Sequence, residues 1–296
     1  SSGLYTVEGD VTDWVKVPGN AYDYDDGAPT GPSCGPCVWS FIQDSVEGWY
    51  DQQLAAGQTP DDINEYLSDY DVWDRYNYDN DTTFNEPDGY IDHFQSVHAG
   101  EGNEAGGGAL GDHAIWSHSW YACPCPLEGD KDGPEFNPLG GIQIHSSDGE
   151  NKSDFWIGKY VINPENGGVG VFAHEFGHDL GLPDLYDYTG ENSTGFWTLM
   201  SSGSWLSAEG SGDIGSKPSH LGAWEKLQLG WLNYIQVDAP VEEPIPGIEL
   251  GPMEYNSDQA QALIVTLPDK EIHVSVGEAY EGDNLYYSGS GDRRDN

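Results

Sequence analysis

One stretch of the chain, HEFGHDLGLPD beginning at His174, contains the side chains best suited to chemistry. His174 and His178 are four residues apart, so on a helix their imidazoles lie on one face, as two ligands of one Zn²⁺ must. Gly181 allows the backbone to leave the helix, and that turn can bring the carboxylate of Asp184 back as a third ligand. The fourth position on the metal then stays open for water, as in catalytic zinc sites. Glu175 can reach that water as a general base.

This signal is more specific than an isolated H-E-x-x-H motif, which recurs by chance. The alternative is a helix over residues 169–180 with a solvated His-Glu pair and a glycine stop, and the further glycine and aspartate disfavour it. Downstream, Met200, one of only two methionines, lies in the turn-prone sequence FWTLMSSG. Alone it would be an ordinary core residue. After a zinc motif it resembles the Met-turn of metzincins, which forms an apolar support beneath the zinc ligands.

On these and further segments the chain resembles the immune inhibitor A family of secreted bacterial metallopeptidases, which are metzincin-like zinc endopeptidases. The segments run over most of residues 35–235 and are DVWDR from Asp71, EPDGYIDHF from Glu86, HAGEG from His98, AIWSH from Ala114, the zinc stretch, the Met200 turn and WEKLQLGW from Trp224. The resemblance implies extracellular hydrolysis of proteins or peptides and structural Ca²⁺. It also implies Zn²⁺ bound by His174, His178 and Asp184, with Glu175 as catalytic base.

The fold class that we expect is α+β. A metzincin-like zinc protease catalytic domain, with a mixed twisted sheet, an active-site helix and a Met-turn, is followed by a short β-rich segment. We predict the catalytic domain over residues 1–237. Residues 238–296, where the texture changes to proline-punctuated sequence, are predicted to be a linker and a β-hairpin that begins a C-terminal β-domain.

Apolar periodicity and turn signals predict the elements that position the site. Helices are predicted over residues 38–54, from Thr59-Pro60 onward, over 169–180 and over 216–227. The predicted strands are residues 90–97, 114–121, 141–145 and 159–162, and the predicted hairpin joins 262–267 to 271–276.

The charge balance restricts the partners. The chain carries 52 acidic against 10 basic residues, a formal net charge of −42. Nucleic acid and anionic membranes are bound by Lys/Arg surfaces, so both are disfavoured as partners. Such an excess repels itself and must be screened by salt or neutralised by bound cations. We therefore expect a salty or mineral-rich habitat together with bound Ca²⁺.

Disorder is the other interpretation of an acidic chain, and the 11 Trp, 18 Tyr and 8 Phe disfavour it. No apolar run approaches the roughly 18 residues of a membrane span. The sequence opens with Ser1-Ser2-Gly3, without a starting Met or a signal peptide. We interpret it as the mature form of a secreted zymogen, from which targeting and pro-segments have been removed.

The cysteines form two clusters, Cys34-Gly-Pro-Cys37 and Cys123-Pro-Cys125. A thioredoxin-like redox motif is disfavoured because no βαβ pattern precedes the first cluster. A four-thiolate zinc site is an alternative, although a C-x-C arm fits the usual spacing poorly. In a secreted protein two disulfides are favoured. A bridge between Cys123 and Cys125 would be strained, so we expect the two clusters to pair with each other, with the connectivity open.

An acidic loop offers a second metal site. Positions 1, 3, 5, 7, 9 and 12 of a calcium-binding loop are matched by Asn77, Asp79, Asp81, Thr83, Asn85 and Asp88. The loop departs from the template in its first and last ligands and in Thr82, which replaces the usual glycine. The alternative is a solvated acidic loop. The family resemblance, in which this segment is calcium-rich, favours Ca²⁺.

Three further points remain open. Tyr186 or Tyr188 could donate a hydrogen bond to the developing oxyanion, and the sequence does not choose between them. The segment 114–121 could pair with an extended substrate as an edge strand. The remaining strand histidines, expected to form hydrogen bonds and not to bind metal, are His93, His98, His113 and His118.

The competing function is a catalytically silent, calcium-binding surface or matrix protein built on a protease fold. It would be indicated by damage to the zinc stretch, and none is visible in the sequence.

Overall fold

A computed structural model describes residues 5–24, 37–75, 77, 81–122, 133–134, 140–187, 194–211, 213–238, 247–255, 258–266, 274–276 and 278–280. The chain divides into two compact units, one reaching Gln228 and the other beginning at Leu229. The mixture of helices and sheets confirms the coarse fold class. The domain boundary at residue 237 stays a prediction. Among the described residues, no helix combines the length and the apolar character needed to cross a membrane.

Two helices at the start of the first unit agree with the predicted ones. Helix α1 spans Cys37–Ala55, and its buried positions Val38, Ile42, Val46 and Tyr50 recur at helical spacing. Helix α2 spans Pro60–Ser68. Thr59 caps it in a reciprocal capping box with Asp62, because each backbone N–H donates to the other residue's side chain.

A three-stranded sheet forms the centre of the first unit. Its strands are β1, Phe94–His98, β2, His118–Tyr121, and β5, Lys159–Pro164, in the order β1-β5-β2. β1 is parallel to β5 and β2 is antiparallel to it, so β2 forms one edge. Tyr160 and Ile162 of β5 pack into the core with α1, while Val161 and Asn163 are buried as well. The uninterrupted burial of β5 is typical of a central strand that is covered on both faces.

A two-stranded antiparallel sheet joins β3, Ile142–His145, to β4, Lys152–Ile157. β3 packs against α1 and β4 against α2. The sequence predicts β3 but not β4, because the first three residues of β4 are polar and its apolar residues are confined to the second half of the strand. The core of the first unit therefore lies between helices α1 and α2 and the two sheets.

Helix α3, Val169–Asp179, confirms the predicted helix over the zinc motif and packs against β5. Helix α4 spans Ala223–Gln228, so the helix predicted from residue 216 was wrong at its start, by seven residues. The reason is that upstream backbone groups have other partners. Lys217 donates its N–H to the carbonyl of Leu206, and Ser219 donates to Gly203, so this segment is extended alongside the preceding turns.

Two predicted strands are shorter than expected at their starts. In the segment predicted from residue 90, Asp92 donates its N–H to Tyr70 O, so the chain joins β5 only from Phe94. In the segment predicted from residue 114, Ala114 donates to Gly111 O at the end of the short 3₁₀ helix Gly111–His113. The first segment joins β5 late because Tyr90 and Ile91 pair with Trp156 of β4 instead, and the second because the 3₁₀ helix precedes it.

The second unit has its own strand pairs. β6, Tyr234–Asp238, runs parallel to β7, Ala262–Thr266. β8, Val274–Val276, pairs with β9, Glu278–Tyr280. The predicted hairpin of 262–267 with 271–276 is therefore wrong in its pairing. The alternating pattern located β7 and β8 but carried no information on their partners.

The cysteine predictions fall largely outside the described residues. Cys34, Cys123 and Cys125 lie beyond them, and Cys37 is described only as the first residue of α1. Disulfide pairing between the two clusters stays a prediction.

Candidate active site

Helix α3 and the turn after it bring together the three predicted metal ligands. His174 and His178 lie one turn apart on α3, and their ring centroids are 4.7 Å apart. Gly181 has a φ of +95°, the left-handed conformation predicted for the helix end. The turn brings the Asp184 carboxylate back, and its Oδ1 lies 3.1 Å from Nε2 of His174 and 3.2 Å from Nε2 of His178. The three donors are therefore adjacent.

This donor set fits a single tetrahedral zinc ion. Two imidazole nitrogens and a carboxylate oxygen lie within 4.8 Å of one another, and no other such His/Cys/Asp/Glu group occurs among the described residues. Ligand atoms at ~2.1 Å from a tetrahedral ion are roughly 3.4 Å apart, close to the separations present here. His174 donates its Nδ1–H to Leu199 O and His178 donates to Leu182 O, both at 2.8 Å. Each Nε2 therefore retains its lone pair for a metal.

Met200 lies beneath α3, and its side chain is completely buried. Gly177 makes this packing possible, because a Cβ at that position would lie 2.5 Å from the Met200 sulfur. The carbonyl of Met200 accepts a hydrogen bond from Leu185 N–H at 2.8 Å. The turn at Met200 is therefore attached both to the zinc helix and to the segment that carries Asp184.

Glu175 is 6% exposed and lies beside the three donors. Burial raises the pKa of its carboxyl to about 8, and the carboxylates of Asp184 and Glu104 act in the same direction. The His174 ring and the N–H of Ser119, which donates to the Glu175 carboxylate, oppose the shift. A divalent cation at the donors would lower this raised pKa, because it favours the charged carboxylate. The β2 edge strand thus fixes the carboxylate that the sequence assigns as general base.

A cleft of about 470 Å³ opens over these groups. It is lined by Trp116, by Ser119 of β2 and by Trp205, whose ring lies 6.5 Å from that of Trp116. Tyr186 lines the cleft, whereas Tyr188 lies outside the described residues. The additional lining residues that the sequence analysis did not single out for this site include Glu104, Val171, Asp187, Ser202 and Ser204.

A buried charged cluster at the end of α3 was also missed. Asp179 is 3% exposed, accepts from His93 and lies 3.4 Å from the guanidinium of Arg75. Burial alone would raise the pKa of Asp179, but the hydrogen bond with His93 and the nearby Arg75 and Lys159 hold it below its usual value. Lys159 donates to the carbonyls of His178 and Asp179 at 2.5 and 3.2 Å. The cluster therefore anchors the last turn of the zinc helix, and long separations in sequence concealed it.

The four histidines that were expected to form hydrogen bonds make hydrogen bonds or ring contacts in the structure. His93 pairs with Asp179, His98 donates to Ala99 O, and the ring of His113 lies 4.7 Å from that of Tyr22. Both ring nitrogens of His118 lie within hydrogen-bond distance of oxygen partners, Trp116 O and the Tyr160 hydroxyl.

The described members of the predicted calcium loop make local hydrogen bonds, and the calcium site there stays a prediction. The Asp81 carboxylate accepts from the N–H and hydroxyl of its neighbour Thr83, and both side chains are exposed, as is Asn85. Asn77 accepts from Thr82 N–H at 3.3 Å. Asp79 lies outside the described residues.

Asp88 belongs to a different group of carboxylates. Burial raises its pKa to about 7, and the carboxylates of Asp71, Asp74 and Asp92 add to the effect. Asp71 is buried and accepts the N–H groups of Asp88 and Gly89, both at 2.9 Å. The carboxylates that raise the pKa of Asp88 all lie within residues 71–92, and of this group only Asp88 belongs to the predicted loop.

Two imidazoles and a carboxylate beside a buried glutamate, in an open cleft, define a candidate hydrolytic metal centre. Comparison with known proteins agrees with that class. Residues 1–232 match the family described as immune inhibitor A peptidase M6, catalytic domain. The chain belongs to this family.

Two relatives illustrate the similarity. The chain is 38% identical over 308 residues to "Immune inhibitor A" of Bacillus thuringiensis subsp. alesti, covering 99% of the chain and 40% of that protein. It is 34% identical over 301 residues to "Pre-pro-metalloprotease PrtV" of Vibrio cholerae serotype O1 (strain M66-2), covering 99% of the chain and 30% of that protein. The chain therefore spans less than half the length of these relatives.

Proposed function

We propose that this chain is the catalytic part of a secreted, zinc-dependent endopeptidase of the metzincin type. In this proposal His174, His178 and Asp184 bind Zn²⁺, Glu175 is the general base, and Met200 forms the Met-turn. The observation that carries it is the meeting of the two Nε2 atoms with the Asp184 carboxylate beside buried Glu175. Membership of a peptidase family and a relative named as a metalloprotease support the same conclusion.

When bound, zinc supplies Lewis acidity for the scissile carbonyl and lowers the pKa of a coordinated water towards ~7. Glu175 accepts the proton of the attacking water and then delivers it to the leaving amine. Its hydrogen bond from Ser119 N–H keeps the carboxylate directed to the cleft. Burial raises the pKa of Glu175 and a bound cation would lower it; the two opposing effects suit both roles, because an acid–base group works best when its pKa is near the working pH.

The substrate is proposed to be an extended segment of a protein or peptide. β2 is an edge strand of its sheet, and the residues just before and within it line the cleft. An extended chain can add to such an edge through backbone hydrogen bonds. Trp116 and Trp205 then offer aromatic surface to a substrate side chain. Tyr186, which lines the cleft, is the tyrosine better supported as an oxyanion donor.

Structural Ca²⁺ remains part of the proposal, with a changed location. Asp71, Asp74 and Asp92 each raise the pKa of Asp88, which favours a cation near the start of β1 over the exposed Asp81 and Thr83, but among the described residues these carboxylates do not form a group close enough to hold an ion without rearrangement. Oxygen ligands of this kind are those that Ca²⁺ prefers.

Metal content and proteolysis together test the enzyme. The purified protein is expected to contain one zinc per chain by mass spectrometry and to cleave azocasein, with activity lost in phenanthroline and restored by added Zn²⁺. Asp184→Ala is expected to lose the metal, since it removes one of three ligands. Azocasein cleavage that persists without zinc would overturn the proposal. Zinc-loaded, folded protein that cleaves no substrate would instead favour the silent calcium-binding alternative.

A further inference from the structure

A second buried glutamate, outside the cleft, has no role in the proposed chemistry. Glu225 lies on α4 and is 2% exposed. Its carboxylate accepts the hydroxyl of Thr198 and the backbone N–H groups of Gly222 and of Glu225 itself. All three partners are donors, so the site accepts only a group that can receive several hydrogen bonds at once. A carboxylate meets that requirement and an apolar side chain does not.

Thr198 continues the connection towards the cleft. Its single hydroxyl proton is donated to Glu225, so its lone pairs remain available to accept a hydrogen bond. Met200 N–H donates to this hydroxyl oxygen at 3.3 Å. Glu225 and Thr198 therefore fix the backbone on both sides of Leu199.

Leu199 links this turn to a metal ligand. Its N–H donates to His220 O at 3.2 Å, and its carbonyl accepts Nδ1–H of His174 at 2.8 Å. The position of the Leu199 carbonyl thus determines both the tautomer and the ring orientation of the first imidazole ligand. A displaced carbonyl would turn the His174 Nε2 away from the other two donors.

Close packing leaves the turn little freedom to compensate. A Cβ at Gly203 would lie 2.2 Å from Thr198 O and 2.0 Å from the Ser219 hydroxyl. Ser219 N–H in turn donates to Gly203 O at 2.9 Å. Gly203, which has no side chain, therefore allows the segment before α4 to pack directly against the turn at Met200.

We propose that Glu225 is a positioning residue for the metal site, acting through Thr198 and the Leu199 carbonyl on His174. This inference rests on the proposed function, because it assumes that His174 binds the metal. It assigns to α4 a purpose beyond packing. The hydrogen bond that the Thr198 hydroxyl donates to Glu225 keeps the turn in the conformation that presents Nε2 of His174 to the ion.

The experiment compares the Zn²⁺ affinity of the metal-free, full-length protein, measured by competition with a chromophoric chelator. Thr198→Val removes the hydroxyl at nearly constant shape, whereas Thr198→Ser keeps it. Glu225→Met removes the acceptor. Ser153→Ala is the matched control, because Ser153 is also buried and donates to a backbone carbonyl, Ile144 O at 2.8 Å, in the β3–β4 sheet.

Thr198→Val and Glu225→Met are each expected to bind Zn²⁺ about tenfold more weakly, the lower end of the range for groups that orient metal ligands. The double variant should lose no more than either single one, because both act through one connection. Thr198→Ser keeps the hydroxyl and should bind Zn²⁺ with the affinity of the wild type. Ser153→Ala should lower the melting temperature without changing the affinity. The visible spectrum of the Co²⁺-substituted protein should change in Thr198→Val but not in Ser153→Ala.

Wild-type affinity in Thr198→Val, or an equal loss in Ser153→Ala, would overturn the positioning role. If Glu225→Met does not fold, Glu225→Gln replaces it; one acceptor oxygen for three donors should still weaken binding, by less than the roughly tenfold loss expected of Glu225→Met, and unchanged affinity would contradict the inference. A wild-type protein that binds no zinc would overturn the proposed function as well. Zinc binding by the wild type with unchanged variants would overturn the positioning role alone.

Discussion

The two imidazoles of the candidate site share a helix but are held by different parts of the chain. His178 donates to Leu182 O, four residues along the same segment, so local geometry alone orients it. His174 donates to Leu199 O, which belongs to the turn at Met200. Sequence spacing is sufficient to predict that both rings face one ion. It does not predict the tertiary carbonyl that orients the first of them.

Glu175→Gln should separate chemistry from metal binding. Glutamine nearly preserves the shape of the buried side chain but cannot accept a proton, so turnover should fall at least ~10²-fold while zinc content stays at one per chain. Azocasein turnover and metal analysis of the same preparation measure both. Glu150→Gln, at an exposed position in the β3–β4 turn, is the control and should keep wild-type turnover. Near-normal turnover of a folded, zinc-loaded Glu175→Gln would show that another group is the base.

Elements with a local cause were predictable from the sequence, whereas those set by distant partners were not. The start of α2 and the left-handed end of α3 at Gly181 follow from capping residues and glycine chemistry, and both were predicted. The start of α4 was wrong because Lys217 and Ser219 donate their N–H groups to the turns before them. The strand β4 was missed because its first three residues, Lys152, Ser153 and Asp154, are all polar and give no apolar alternation.

The candidate site shows the same division. The three donors and Glu175 lie within one short segment, and their spacing in the sequence was sufficient to predict them. Asp179 and its partner Arg75 are 104 positions apart, and Glu225 lies 27 positions after Thr198. Buried polar groups of this kind carry no period or motif, so only tertiary structure reveals them.

The capping box of α2 provides a test at the scale of one element. Thr59→Ala removes the acceptor for Asp62 N–H and should destabilise the first unit by about 1 kcal/mol, which corresponds to about 3 °C in melting temperature. Thr59→Ser keeps the cap and should melt within about 1 °C of the wild type. Thermal melting followed by circular dichroism gives both values. Equal melting of the alanine and serine variants would show that the cap contributes nothing measurable.

At the scale of the whole molecule, charge is the dominant feature. A net charge of −42 makes the folded state repel itself, and some of the carboxylates are buried as well. Asp71, Asp88 and Asp92 all have pKa values raised first by burial; the Asp74 carboxylate adds to the shift of Asp71, and the Asp71 carboxylate adds to the shifts of Asp88 and Asp92. These residues indicate where the cost of concentrated negative charge is greatest, and where a bound cation would relieve it.

The raised pKa of Asp88 predicts how stability changes with pH in the absence of divalent cations. Its pKa is about 7 in the folded protein against 3.8 as the reference, so between these values the folded state binds more protons than the unfolded one. The free energy of unfolding contributed by this group is therefore complete below pH 3.8 and is lost as the pH rises through about 7. In chelator, the melting temperature should fall from pH 5 to pH 8, by about 5 °C.

Asp88→Asn is the matched variant for this measurement, since an amide oxygen can still accept Tyr90 N–H while the titrating group is gone. The fall in melting temperature between pH 5 and pH 8 should become shallower in this variant. A slope identical to that of the wild type would assign the pH dependence to other carboxylates.

Salt dependence tests the balance of charge across the whole chain. Screening shortens the Debye length to ~3 Å in 1 M salt, so the melting temperature should rise steadily with NaCl.

CaCl₂ should raise the melting temperature at concentrations too low to screen, because an ion that binds only the folded state stabilises that state by mass action. MgCl₂ at equal ionic strength is the control, since Mg²⁺ demands stricter geometry and loses its water less readily. A Ca²⁺ effect above that of Mg²⁺, reduced in Asp88→Asn, would support the relocated calcium site. Equal effects of the two cations would leave screening as the sole cause, and indifference to NaCl and CaCl₂ alike would contradict the expectation drawn from composition.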